Sequence, residues 1–279
     1  MFRSVHNFAR GIAAVLAILA ASSAVAKEEV LILGGAGKAG SAVAKMLVAR
    51  GDHVTVFVRP TTNRSRLEGV PVDYVVGDAM KADEVAAALK GKRFSVIFET
   101  IQVFPGTDQS YTKLYENIMP LAKAMGVKQV LTLGAGCVDW KREDCPLSKP
   151  LYALTGDMAK AEHILRDSGV PYTVIRIGAL IPSNPNHPDA GKASGKAYLT
   201  TDLTIFGGVL RADLNQQVVD CIGAERCINK IFVSDDKTVK PQLDHWLCKR
   251  KHDGDTVQAN QPLCGEMPRV TDKQLKGGP

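Results

Sequence analysis

The chain has 279 residues, of which 45% are hydrophobic, 23% charged and 6% aromatic. That balance excludes a collagen-like, coiled-coil or disordered chain, and the length suits one large α/β domain with an appendage. The formal net charge of +6 is not gathered into a dense Lys/Arg block, so no nucleic-acid partner is expected.

The first residues read as an address. Arg3 and Arg10 precede an apolar run from Gly11 to Ala21, and Ser22-Ser23-Ala24-Val25-Ala26 follows. A basic stretch, a short apolar run and an Ala-x-Ala ending predict a secretory signal peptide cut after Ala26. The run falls short of the roughly 20 apolar residues that a spanning helix needs, so no stable membrane insertion is expected after cleavage. An uncleaved anchor or a buried N-terminal helix is the alternative. Setting residues 1–26 aside removes two arginines and no acid, lowering the charge from +6 to +4. The expected organisation is a signal at 1–26, a nucleotide-binding domain at 27–236 and an extension at 237–279. The expected location is periplasmic, secreted or an organelle lumen.

From Glu28 onward short apolar runs alternate with helical periodicity. Strands are predicted at 29–33, 54–58, 72–76, 94–98, 127–133 and 172–177, with a late seventh at 231–233. Helices are predicted after the glycine cluster up to Arg50, over 82–89, over 108–125 with a kink or break at Pro120, and over 157–168. This alternation implies an α/β fold, a doubly wound parallel sheet of the Rossmann type.

Gly34-x-x-Gly37-x-x-Gly40 stands between the first strand and the first helix, the context that gives this spacing meaning. The first glycine permits a tight turn, the second lets the backbone approach a pyrophosphate, and the third lets helix and strand pack closely. Lys38 and Ala39 then lie at the helix N-terminus, where unpaired amides and the helix dipole favour phosphate. The alternative is a glycine-rich turn that binds nothing. Arg59 ends the second strand, nineteen residues after Gly40, where an acid would select NAD and an arginine accommodates a 2′-phosphate. Arg64 and Arg66 follow, and no acid occurs from Val54 to Leu67. The expected cofactor is NADP.

With VLILGGAGKAG, VFVRP, VVGD at 75–78, SGVPYTVIRIGAL at 168–180, RADL at 211–214 and NKIFVSDD at 229–236, the chain resembles an atypical short-chain dehydrogenase/reductase of the NmrA-like, NAD(P)-binding type. The resemblance implies that Asp78 and Ala79 lie near the adenine. It implies that Thr100 and Ile101 line the ribose-nicotinamide side, and that Ile177, Gly178 and Leu180 face the nicotinamide.

The chemistry departs from that pattern. Short-chain dehydrogenases use Tyr-x-x-x-Lys, in which a lysine tunes the phenol that handles the substrate proton. Lys160 matches the lysine, but Gly156 stands where the tyrosine would be, and the strand-five serine place reads Leu133-Gly134-Ala135-Gly136-Cys137. Lys160, as holder of the nicotinamide ribose, and Tyr152, as stand-in proton donor, are the candidate catalytic residues. Without the usual donors, alcohol oxidation is disfavoured, and reduction of a conjugated small-molecule acceptor such as a quinone or flavin is expected. A non-catalytic NADP-binding redox sensor is the rival, and a scaffold with a vestigial site is a third reading.

Six cysteines allow 15 pairings, so sequence does not fix them. Spacing suggests three local bridges, Cys137–Cys145, Cys221–Cys227 and Cys248–Cys264, against a redox-active Cys137 or unrelated thiols. Residues 184–196 read as a loop or lid in which His187 is a candidate polar contact. His245, Cys248 and His252 lack a fourth ligand, so no metal is expected. Oligomeric state is not legible.

Overall fold

A computed structural model describes residues 27–104, 107–147, 149–181 and 191–239. The apolar run after Glu28 forms β1 (Glu29–Leu33), and α1 (Lys38–Arg50) follows the glycine loop. Gly51, at φ 99°, ends α1 in the left-handed region that favours glycine. Next come β2 (His53–Val58), β3 (Asp73–Val76), α2 (Ala82–Leu89) and β4 (Val96–Glu99). Then follow α3 (Tyr111–Met125), β5 (Gln129–Ala135), α4 (Lys149–Asp167) and β6 (Tyr172–Ile177). Three short strands, β7 (Ala179–Ile181), β8 (Tyr198–Thr200) and β9 (Gly208–Leu210), precede α5 (Arg211–Cys221) and β10 (Lys230–Asp235).

The main sheet has the order β3-β2-β1-β4-β5-β6-β10-β8. Every pairing in it is parallel except β10 with β8. β7 and β9 form a separate parallel pair. The order reverses between β1 and β4, and in doubly wound sheets ligands bind beyond the strand C-termini at such a reversal. Alternate residues of one strand supply opposite faces. Leu31, Leu33 and Ile97 pack with apolar residues of α2, α3 and α4, whereas Val30, Ile32, Val96 and Phe98 pack with α1 and α5.

Two helices differ from expectation. α4 begins at Lys149, eight residues before the predicted start, because a proline in a first helical turn lacks only an amide that has no partner there anyway. α3 runs through Pro120 as one element. Its buried face of Tyr111, Leu114, Tyr115, Ile118, Met119 and Ala122 holds it against the core, while Pro120 is exposed. Its start is fixed twice: Ser110 Oγ accepts the Lys113 amide, and Asp157 of α4 accepts from Ser110 Oγ, the Tyr111 and Thr112 amides and Thr112 Oγ1. Burial opposes ionisation of Asp157, but these four bonds outweigh it and hold the carboxyl below the usual range.

Two of the suggested bridges form, Cys137–Cys145 and Cys221–Cys227, and no cysteine among the described residues is free. The suggested Cys248–Cys264 bridge, the signal segment, His187 and the His245/His252 pair lie outside the described residues. No helix among the described residues is long and apolar enough to cross a membrane.

Candidate functional site

The glycine loop is built by contact. Gly34 sits at φ +81°, and a Cβ there would lie 2.9 Å from the Thr100 carbonyl oxygen and 3.1 Å from the Ile101 nitrogen. A Cβ on Gly40 would lie 2.5 Å from the Gly34 oxygen, so side chains are excluded from both ends of the loop. The Gly37 amide donates to the Gly34 carbonyl at 2.9 Å, closing the turn. Gly37 then caps α1 with no side-chain acceptor, and the first turn holds no acid. The leading amides of α1, around Lys38 and Ala39, therefore meet neither a capping oxygen nor a neighbouring carboxylate, which suits an anionic ligand. This is a cradle that a dinucleotide pyrophosphate fits.

Beyond β2, Arg59 is exposed, and its backbone turns through mutual bonds with Thr62. Arg64 lies over the Tyr74 ring, 4.6 Å from its centroid. Arg66 shares a groove with Lys38, Met46, Arg211 and Asp213, so it is the arginine of this loop that shares a cleft with the first residue of α1. After β3, Asp78 accepts the Met80 amide and its own amide donates to Glu84, while buried Ala79 offers its carbonyl to Asn117.

On the other side of the reversal, the Thr100 amide donates to Leu33, which ties the β4 exit to the β1 exit. Glu99, unremarked in the sequence, is the central group here. Only 3% exposed, it accepts the Ile101 amide at 2.6 Å, Thr132 Oγ1 at 2.8 Å and the Tyr115 hydroxyl at 3.3 Å. Burial pushes its carboxyl up from the usual 4.5 to about 7, against the opposing pull of those bonds. An acid closing an otherwise apolar strand, Val96-Ile97-Phe98-Glu99, is the sequence signal that could have found it.

The remaining candidates divide. Gly178 packs so closely that a Cβ would lie 1.6 Å from the Phe206 carbonyl oxygen. Ile177 and Leu180 are half-buried against the α1/α5 face, and Leu180 pairs with Val209. Lys160 is exposed on α4, and a Cβ on Gly156, one turn earlier, would meet open space. Tyr152 is helical and eight residues before Lys160, about 12 Å along the axis. Its hydroxyl donates to the Trp140 carbonyl at 2.8 Å, so its one proton is already engaged. Tyr152 packs with Cys137, Trp140, Cys145 and Phe206 in a cluster around the first bridge.

That cluster is anchored by a residue the sequence concealed. Arg176, 2% exposed within the apolar run of β6, donates to Glu162 Oε2 at 2.7 Å, Asp139 Oδ2 at 2.8 Å and the Val138 carbonyl at 3.1 Å. Gly134, in the Leu133–Cys137 segment, makes room for this pair: a Cβ there would lie 3.0 Å from Glu162 Oε1 and 3.2 Å from Arg176 Cγ.

A family model described as NAD(P)H-binding matches residues 34–225. An uncharacterised chloroplastic protein of Arabidopsis thaliana is 28% identical over 178 residues, covering 54% of this chain and 53% of its own length. Sanguinarine reductase of Eschscholzia californica is 30% identical over 133 residues, 42% of this chain and 41% of its own. The match thus spans about half the length, or less, of these curated relatives. Among solved structures, the anaerobilin reductase ChuY of Escherichia coli O157:H7 superposes with a TM-score of 0.61 at 22% identity. That superposition covers 76% of this chain and 98% of the other, and at this identity it bears on fold alone.

Proposed function

The chain belongs to the NAD(P)H-binding family, and on that premise we propose that it is an NADPH-dependent reductase of a flat, conjugated small-molecule acceptor, quinone- or flavin-like. Gly34, Gly37, Lys38, Ala39 and Gly40 would hold the pyrophosphate. Arg59, with Arg66 beside Lys38, would hold the 2′-phosphate. Asp78 and Ala79 would border the adenine; Thr100, Ile101, Ile177, Gly178 and Leu180 would border the nicotinamide side, with Lys160 as the ribose contact. When bound, NADPH would supply the hydride for the acceptor, and the accompanying proton would come from water. The chain's own residues position and exclude rather than exchange protons.

The observation that carries this reading is the missing donor. Gly156 carries no hydroxyl, nor does any residue from Leu133 to Cys137, and the Tyr152 proton is engaged by Trp140. Such a site suits an acceptor that gains its proton from solvent, and suits poorly an alcohol that must lose one to the protein. The relative named as sanguinarine reductase supports a small-molecule substrate. The two local bridges support export or passage into an oxidising compartment.

The test is oxidation of NADPH, followed by absorbance, with menadione and with a free flavin as acceptors. Turnover with NADPH and little with NADH is expected. Tight NADPH binding with no turnover on either acceptor would favour the redox-sensor reading instead.

A further inference from the structure

We infer that Glu99 is a positioning residue: from the C-terminal end of β4 it fixes the Thr100–Phe104 segment, and so shapes the nicotinamide-side wall of the site. This rests on the nucleotide-binding reading above. The segment leaves β4 at the sheet reversal and abuts Gly34, so any shift in it is a shift in the floor of the glycine loop. It is pinned at alternate amides by two buried side chains. Glu99 Oε1 takes the Ile101 amide at 2.6 Å, and the Tyr111 hydroxyl takes the Val103 amide at 3.2 Å. Val103 is itself buried at 1%, and the next residue, Phe104, is 59% exposed, the most exposed of the large apolar side chains described. Phe104 thus stands in solvent on a backbone that is held in place. An aromatic face presented there suits a flat acceptor.

The surroundings make Glu99 responsive to proton concentration. From α3 it is faced by Tyr111, pushed up to about 12, and by Tyr115, pushed well above the usual phenol range; burial is the main cause in both, and Glu99 adds to it. From β5 it is faced by Thr132, which does not titrate. On α4 the nearest acids are already committed, Glu162 to Arg176 and Asp157 to the start of α3. Arg176 is paired with Glu162 and Asp139, and the groups bonded to Glu99 are neutral donors. As an anion Glu99 receives three donors. Once protonated it must place a proton among them, and its hold on Ile101 weakens.

The experiment compares the full protein with Glu99→Gln and Glu99→Leu. Three quantities are read: NADPH affinity by fluorescence titration from pH 5.5 to 8.5, amide exchange at Ile101 and Val103 without ligand, and KM against kcat with menadione. For Glu99→Leu we expect NADPH binding weakened about tenfold at pH 8 and exchange at Ile101 faster by a similar factor. Glu99→Gln, which cannot ionise and like the protonated acid brings hydrogens among the three donors, should bind at pH 8 within about threefold of the parent at pH 5.5. The parent should lose affinity as pH falls through 7, and the glutamine variant should not. If the leucine variant does not fold, the glutamine pH profile alone decides. A glutamine variant that keeps the parental pH profile, or a folded leucine variant with parental affinity and exchange, would overturn this inference alone. A parent that binds neither NADPH nor NADH would overturn the proposed function and this inference with it.

Discussion

Gly40 and Gly34 meet backbone to backbone: a Cβ on Gly40 would stand 2.5 Å from the Gly34 carbonyl oxygen. The contact is with main chain, which cannot swing aside as a flexible side chain would. Gly40→Ala should therefore push α1 off the loop, lowering nucleotide affinity at least tenfold, with a stability loss of about 1–3 kcal/mol. Titration calorimetry and thermal unfolding of the variant check both numbers.

On the proposed reading, Arg59 and Arg66 would carry the choice of cofactor. Hydrogen bonds to charged groups contribute about 1.5–3 kcal/mol. Arg59→Ala and Arg66→Ala should each weaken NADPH binding by about ten- to a hundredfold while leaving NADH binding nearly unchanged. A paired titration with the two nucleotides measures the ratio. Equal losses for both would assign these arginines to folding instead.

Glu99 sets a pH dependence of stability whose sign is fixed. Its folded-state carboxyl lies at about 7, above the usual 4.5. The folded chain therefore binds the proton more tightly than the unfolded one. That contribution is complete below about 4.5 and is lost as pH rises through 7, a change of about 3 kcal/mol. Glu99→Gln should flatten the stability difference between pH 5 and pH 8 by about that amount, measured by urea unfolding at each pH. Retaining a group that weakens the fold above neutrality is consistent with a role at the site.

Arg176 and Glu162 are a buried pair whose rupture leaves a charge without compensation. Arg176→Met should cost about 3–5 kcal/mol, because Glu162 and the Asp139 loop lose their shared partner. Denaturant unfolding measures the loss. The double change Arg176→Met with Glu162→Met should recover much of it, since paired apolar replacements remove both desolvation penalties.

The Cys137–Cys145 bridge closes the loop whose Trp140 carbonyl accepts the Tyr152 hydroxyl. Replacing both cysteines by alanine should lower stability by about 2–4 kcal/mol. It should also loosen the Trp140 environment, read by tryptophan fluorescence against the unreduced parent.

Much of the fold was legible in the sequence. Short apolar runs between helical periods marked seven strands of the main sheet, and the glycine spacing marked the turn between the first strand and helix, because each signal is local to its stretch of chain. β7, β8 and β9 were not legible: three residues carry no period, and β7 and β9 exist because they pair with each other. The first two turns of α4 were masked by Pro150 and Gly156, whose poor propensities were overridden where Thr155 and the partly buried Leu151 and Tyr152 pack inward. Glu99 and Arg176 were hidden for one reason. A charge in an apolar strand has no partner in local sequence, and here the partners lie 33 residues away at Thr132 and 14 away at Glu162. Conversely, Tyr152 looked available as a donor because sequence does not show that its hydroxyl faces Trp140.

Calorimetric titration of the protein with NADPH and with NADH, repeated with NADPH on Gly40→Ala, decides whether the glycine loop holds a nucleotide. One site per chain, at least tenfold preference for NADPH, and loss of most binding in the variant are expected. No heat with either nucleotide, or binding that survives Gly40→Ala unchanged, would overturn the nucleotide-binding reading of the glycine loop.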